Sequence, residues 1–94
     1  MSLEKIGYRS VATTDGPTQL KTGPSGFFGF VVSVGAAASI AVYDGTSASG
    51  KLLYTKAGHV AGDVVHFGGV GIAANQGLFI IVGGASSEVN FLYT

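Results

Sequence analysis

The segment Gly45–Leu52 has the sequence GTSASGKL, which differs by one residue from the phosphate-binding pattern GxxxxGK[ST]. Such a loop needs a following helix whose N-terminus faces the phosphates, and a hydroxyl after the lysine that holds magnesium. The residue after Lys51 is Leu52, which has no hydroxyl, and it opens the strand-like run LLYT. A second segment, Gly69–Ala74, has the spacing of a dinucleotide-binding turn, but 94 residues leave no room for the rest of that fold. The sequence therefore predicts a hairpin loop at Gly45–Leu52 and no nucleotide cofactor.

The two histidines could approach each other across a turn, because His59 and His66 are seven residues apart with Asp63 between them. A metal or catalytic site also needs a third ligand or a nucleophile placed by rigid elements, and no motif provides one. The five carboxylates are well separated in sequence, so no paired-carboxylate signature is visible: Glu4, Asp15, Asp44, Asp63 and Glu88. We therefore expect surface or interface histidines, and we predict no catalytic, cofactor-binding or metal-binding residue. The protein is predicted not to be an enzyme.

The four Tyr and six Phe residues could form an aromatic platform for sugars, but there is no Trp and most of these rings fall inside candidate strands. Packing in a core and in interfaces is the favoured use. A sugar-binding module would instead present Tyr43, Tyr54 or His59 in a groove with polar neighbours.

The elements that position these side chains are predicted from glycine spacing. Glycines recur at short, even intervals, which leaves room for strands of five to eight residues and none for an ordinary helix. Gly35–Ala38 and the Gly-Gly-Ala-Ser-Ser segment at 83–87 are interpreted as turns between strands. The candidate strands are Gly7–Val11, Thr18–Lys21, Phe27–Val34, Ser39–Tyr43, Leu52–Lys56, Asp63–Phe67, Leu78–Val82 and Val89–Tyr93. This pattern predicts an all-β, antiparallel β-sandwich of about eight strands with a jelly-roll-like arrangement.

Two of these strands are apolar on both faces. In Phe27–Val34 alternation places Phe28, Phe30, Val32 and Val34 opposite Phe27, Gly29 and Val31, and Leu78–Val82 has the same character. Such strands in so small a domain indicate that another subunit covers the outer side. The predicted interface residues are Phe27, Phe28, Phe30, Val31, Phe79, Ile81 and Tyr93. We expect a homo-oligomer, with a trimer favoured over a dimer.

The first 26 residues differ in kind, since they are rich in turn residues and poor in apolar ones. We interpret residues 1–26 as an N-terminal arm with edge strands, and residues 27–94 as the sandwich core of a single domain. The arm is expected to contact partners more than to stabilise its own sheet.

The composition argues against nucleic acids and membranes as partners. Charged residues make up 11% of the chain against a usual value of about 25%, and five acidic residues balance five basic ones. Without a basic cluster, nucleic-acid binding loses its main source of affinity. Residues 23–43 and 67–87 are uncharged and long enough to span a membrane, but Gly and Ser interrupt them repeatedly, so we expect no membrane contact. With no cysteine and no secretory signal at the N-terminus, we expect the chain to be made in the cytoplasm.

Three motifs follow one another along the chain: Tyr43–Lys51 (YDGTSASGK), Gly77–Ala85 (GLFIIVGGA) and a closing strand that ends Leu92-Tyr93-Thr94. This order resembles the small all-β virion proteins of tailed bacteriophages, and the resemblance covers roughly Phe27–Thr94. Val82-Gly83-Gly84 and the final Thr94 depart from the family pattern, in which a basic residue is usual at the end. The resemblance implies a non-enzymatic structural protein of the virion, made in the host cytoplasm, that decorates or cements the capsid. Its partners would be other copies of itself and the major capsid protein or another virion protein. The alternative is a receptor- or carbohydrate-binding module of a tail fibre or neck.

Overall fold

A computed structural model describes residues 7–67 and 71–94. These residues form β-strands and one short 3-10 turn, Thr13–Asp15, and they contain no α-helix and so none long and apolar enough to cross a bilayer. The strands are β1 (Gly7–Ala12), β2 (Thr18–Thr22), β3 (Ser25–Asp44), β4 (Lys51–His59), β5 (Val64–His66), β6 (Ile72–Ala74) and β7 (Gly77–Tyr93). Their pairings are antiparallel.

Two long strands, β3 and β7, pair with each other and run through both sheets of the sandwich. In the first sheet, residues 25–34 of β3 lie beside residues 88–93 of β7, with β1 outside β7 and with β5 and β6 outside β3. In the second sheet, residues 39–44 of β3 lie beside residues 77–83 of β7, with β2 outside β7 and β4 outside β3. The two sheets pack face to face over a common core.

The strand order is that of a jelly roll. Both long strands contribute one segment to each sheet, while β5 and β6 pair in line along the same edge of β3 and share one position. The described residues thus occupy eight strand positions, which pair first with eighth, second with seventh, third with sixth and fourth with fifth. This is the pattern of a chain folded in half and wrapped into two four-stranded sheets. The predicted all-β, jelly-roll-like sandwich is confirmed.

The predicted turns at Gly35–Ala38 and at residues 83–87 are instead corners of continuous strands. Ala36 pairs with Ala85, so the ladder continues through both corners with shifts of register. Extra residues of this kind bend a strand without ending it. The bend also needs left-handed backbone, which occurs at Ala37 (φ 58°), Gly84 (φ 100°) and Ser86 (φ 43°). Small residues are favoured at both corners because two bent strands must pass close to each other there.

The predicted facing of residues Phe27–Val34 is wrong at both ends of the segment. At its end the register shifts between Val32 and Val34, so Val32 is buried whereas Val34 is 51% exposed on the outer face. At its start the register shifts between Phe27 and Gly29, and Gly29 has a φ of 138°. A Cβ atom at Gly29 would overlap the carbonyl oxygen of Val65, so only glycine fits this bulge. As a result Phe27 and Phe30, which strict alternation places on opposite faces, both point into the core.

One hydrophobic core fills the space between the sheets. Its buried members are Val11, Leu20, Phe27, Phe30, Val32, Ile40, Val42, Ala74, Leu78, Ile80, Val82, Val89 and Phe91. Two of them come from the segment predicted to be an arm: Val11 is 1% exposed and Leu20 is 8% exposed. β1 and β2 lie at the edges of their sheets, and each contributes a buried side chain to this core.

Candidate functional site

The residues predicted to form an interface do not come together on one surface. Phe27 and Phe30 have no exposed surface and pack inside the domain, so that prediction is wrong for these two residues. Tyr93 is partly buried against the core. The remaining four are divided between the outer faces of the two sheets, with Phe28 and Val31 on the first sheet and Phe79 and Ile81 on the second.

The outer face of the first sheet is mixed in polarity. One row across the strands joins Tyr8 on β1 to Leu92 on β7, and the next row joins Asn90, Val31 and Val64. Tyr8 and Val64 are exposed, whereas Asn90 and Val31 are half-buried. Apolar side chains therefore alternate with polar ones on this face.

The outer face of the second sheet has an apolar centre, which is bounded by Gln19 of β2, the partner of Phe79, and by Thr55 of β4, the partner of Ala41. One row across three strands joins Phe79, Tyr43 and Leu52, and the rings of Phe79 and Tyr43 have centroids 6.5 Å apart. The next row joins Ile81 to Ala41. Leu52 is 47% exposed and the other four are half-buried. We call these five residues the second-sheet patch.

Three polar side chains on β4 and just beyond its end form a hydrogen-bonded relay. The Tyr54 hydroxyl lies 2.8 Å from Nε2 of His59, and Nδ1 of His59 lies 3.1 Å from Oδ2 of Asp63. The same carboxylate oxygen accepts the backbone N–H of Val60 at 3.1 Å. His59 is only 3% exposed, and the ring of Phe30 meets its imidazole edge to face with centroids 5.3 Å apart. The prediction of a surface or interface histidine is therefore wrong for His59.

The charge of Asp63 fixes the direction of the hydrogen bonds in the relay. The Val60 N–H and the hydrogen bond from His59 lower the pKa of Asp63, so its carboxylate is ionised and can only accept hydrogen bonds. Nδ1 of His59 must then carry a hydrogen and donate a hydrogen bond to this carboxylate. In the neutral imidazole Nε2 is an acceptor, and the Tyr54 hydroxyl donates to it.

The relay has the connectivity of a hydroxyl nucleophile, a base and an orienting carboxylate. Its electrostatics do not activate the hydroxyl, because burial and the negative charge of Asp63 both raise the pKa of Tyr54. An activated phenol would need the opposite shift. The relay instead ties β4 to the turn before β5, since it satisfies the buried imidazole and fixes the carboxylate that holds Val60.

Sequence reasoning noted His59 and Asp63 but missed Tyr54 as their partner. Tyr54 pairs with Val42, whose side chain is buried, so the Tyr54 ring lies over the edge of the core with its hydroxyl directed along β4. The available signal was the spacing of a strand Tyr, a His five residues later and an Asp four residues after that. His66 is exposed on β5 and is not part of the relay.

The segment that resembles a phosphate loop is a connection between strands. Lys51 begins β4, so no helix N-terminus faces the loop, and the predicted hairpin-loop reading is confirmed. Asp44 anchors the base of this connection by accepting the backbone N–H groups of Asn75 and Gln76 at 3.0 and 2.8 Å. These two bonds lower the pKa of Asp44. In the segment that resembles a dinucleotide turn, Ile72–Ala74 is strand β6, while Gly69 and Val70 lie outside the described residues.

Residues 7–67 and 71–94 contain no group of three or more His, Cys, Asp or Glu side chains arranged to hold a metal ion. Comparisons of the chain with protein-family models, with curated proteins and with solved structures each return no match. The described residues therefore provide a sandwich scaffold, an internal polar relay and two outer faces with different patterns of polar and apolar side chains.

Proposed function

We propose that this chain is a non-enzymatic virion structural protein of a tailed bacteriophage, which self-associates and decorates or cements the capsid lattice. The observation that carries the proposal is the second-sheet patch, an apolar row that crosses three strands on the outside of a jelly roll. Jelly rolls are a recurrent architecture of capsid domains, although the fold alone does not assign a function.

The second-sheet patch supports self-association in particular. Phe79, Tyr43 and Ile81 are central in their sheet and only half-buried, and Leu52 is almost half exposed. A contiguous apolar surface on a small soluble domain is typical of a protein contact site. The chain has few charges to keep copies apart, with 11% charged residues and a formal net charge of zero.

A structural role is also favoured over catalysis by the state of the relay. His59 is shielded from solvent, and the pKa of Tyr54 is shifted away from the value that would make it a nucleophile. The tail-fibre alternative needs Tyr43, Tyr54 or His59 in a groove with polar neighbours, yet Tyr54 and His59 are hydrogen-bonded to each other and Tyr43 lies between Phe79 and Leu52.

Light scattering coupled to size exclusion tests the self-association. We expect a homo-oligomer at micromolar concentration, with a trimer favoured over a dimer, and we expect Phe79→Ser combined with Leu52→Ser to shift it toward the monomer. The matched control is Tyr8→Ser, which removes a 72% exposed ring from the other outer face and should leave the oligomer intact. A mass of 9.4 kDa for the unmodified chain across that range would contradict the proposal.

Co-sedimentation with capsids lacking this protein tests the virion role. Binding that saturates at a fixed number of copies per capsid is the expected result. A protein that does not co-sediment but binds defined sugars on a glycan array would instead support the receptor-binding alternative.

A further inference from the structure

An open pocket of about 190 Å³ lies on the outer face of the first sheet, at the end where β3 and β7 reach their corners. Its floor is one row across three strands, in which Glu88 on β7 pairs with Ala12 on β1 and with Val34 on β3. Val34 is 51% exposed, and the buried Val89 that follows Glu88 shows that the glutamate side chain is directed outward. The floor is thus a carboxylate between two apolar side chains.

The walls of the pocket are fixed by hydrogen bonds. On one side is the 3-10 turn with Thr13 and Thr14, and on the other is the β7 corner with Ser86 and Ser87. The Thr13 hydroxyl donates to the Ser87 carbonyl at 3.1 Å and accepts the Ser87 N–H at 2.8 Å, so it clamps the two walls together. The exposed hydroxyls of Thr14 and Ser86 remain on the two walls. A site held in this way needs little reorganisation to receive a ligand.

The pocket carries a negative charge that the described part of the chain does not neutralise. In residues 7–67 and 71–94, no Lys, Arg or His forms an ion pair with Glu88 and none lines the pocket. A single carboxylate with neighbouring hydroxyls falls short of the six to eight oxygen ligands that calcium takes. With no aromatic ring in the lining, the pocket also lacks the flat apolar surface that a sugar would need. An organic cation fits better than either.

The size and polarity of the pocket indicate which kind of organic cation fits it. The pocket is larger than the cavity of about 150 Å³ that admits one benzene molecule, and smaller than the range of about 300–1,000 Å³ of small-molecule sites. That volume suits one side chain of another protein. A lysine has an apolar stem that can cover Val34 and Ala12, and three N–H donors that match the Glu88 carboxylate and the Thr14 and Ser86 hydroxyls.

We propose that this pocket, with Glu88 on its floor, is a binding site for a lysine side chain of a partner protein. The inference does not rest on the virion role, because it concerns the chemistry of the pocket alone. One side chain bound at a partly exposed carboxylate gives weak affinity, so the contact acts as one element of a larger or multivalent interface.

The test is a two-dimensional NMR titration of the whole protein with n-butylammonium, which reproduces the lysine stem and charge. We expect saturable shifts that are confined to the amides of residues 12–14, 34 and 86–88. Glu88→Gln keeps the shape and removes the charge, and it should weaken binding about five-fold, as expected for a partly exposed ion pair. Asp15→Asn is the control, because Asp15 is a nearby carboxylate outside the pocket whose bond to the Ala12 N–H an amide oxygen can keep.

Three results would overturn the proposal. Shifts that never saturate would show no site, and equal binding by n-butanol would show a pocket that responds only to apolar ligands. Unchanged affinity in Glu88→Gln would remove the carboxylate from recognition. Since Glu88 is exposed, this variant should fold normally, and its thermal unfolding serves as the check.

Discussion

Deleting the single oxygen of Tyr54 should destabilise the protein more than the partial burial of this side chain suggests. In Tyr54→Phe the ring keeps its contacts with Phe30 and Phe67, whose centroids lie 5.4 and 5.9 Å away. The change removes only the hydrogen-bond partner of Nε2 of His59. Because His59 is almost fully buried, water cannot replace that partner without opening the structure.

The expected cost follows from the burial of the acceptor. Leaving a buried polar atom without a partner costs about 1–3 kcal/mol. Tyr54 itself is only partly buried, and its hydroxyl is lost from the unfolded state as well, so we expect a value near the lower half of that range, about 1.5 kcal/mol. For a domain of this size the melting temperature should fall by roughly 6–12 °C. The loss is large, because a 94-residue domain is stable by only about 5–14 kcal/mol.

Urea unfolding followed by circular dichroism measures this change, with every variant at the same protein concentration because the proposed self-association would also stabilise the folded chain. The matched control is Tyr93→Phe: Tyr93 also packs partly buried against the core, and its hydroxyl makes no hydrogen bond within the described residues. The control should change the free energy of unfolding by less than about 0.5 kcal/mol. Equal, small effects in the two variants would refute the argument that the relay stabilises the fold.

Three further changes test other parts of the structure. Asp63→Asn should destabilise the protein at neutral pH, and its difference in unfolding free energy from the unmodified protein should shrink as the pH falls below about 4. The reason is that the pKa of Asp63 is lowered in the folded state, so the ionised carboxylate stabilises the fold above the unfolded-state pKa and this stabilisation is lost as the carboxylate protonates. A difference that does not change with pH would contradict this. Val11→Ala should lower the free energy of unfolding in urea by about 2 kcal/mol, since it removes two buried methyl groups and leaves a cavity. An effect below about 0.5 kcal/mol would indicate that the N-terminal segment is a peripheral arm. Ala37→Gly should raise the melting temperature by a few degrees, because it relieves left-handed backbone at the β3 corner, and a lower melting temperature would show that the corner is not strained.

The fold class could be predicted from the sequence because its signals are local. Glycine punctuation and alternating apolar residues locate a strand without reference to the rest of the chain, and Leu78–Val82 and Val89–Tyr93 lie within the observed β7. The absence of a helix after Lys51 was equally local, because it depends on the residue types of the next segment.

The corners and the relay could not be predicted in this way. Gly35–Ala38 has the composition of a turn, and only its pairing with the β7 corner keeps the strand continuous. The bulge at Gly29, which turns Phe27 inward, depends on how closely Val65 approaches. The burial of His59 depends on Tyr54 and Phe30, which reach it from two different strands. Each of these features depends on tertiary contacts, which no local pattern contains.

The difference between the two outer faces follows from the path of β7, which is central in both sheets. Before its corner, β7 directs Phe79 and Ile81 outward, and after the corner it directs Glu88, Asn90 and Leu92 outward. In a two-layer sandwich no further layer covers the outer faces of the sheets. The outward residues of a strand that is central in both sheets therefore contribute strongly to the polarity of each outer face. The apolar half therefore suits contact with an identical copy, and the half with Glu88 suits a partner that brings a positive charge. On this argument an exchange of Ile81 and Asn90 for each other's residue type would weaken self-association and leave the Glu88 pocket intact, since neither residue lines that pocket.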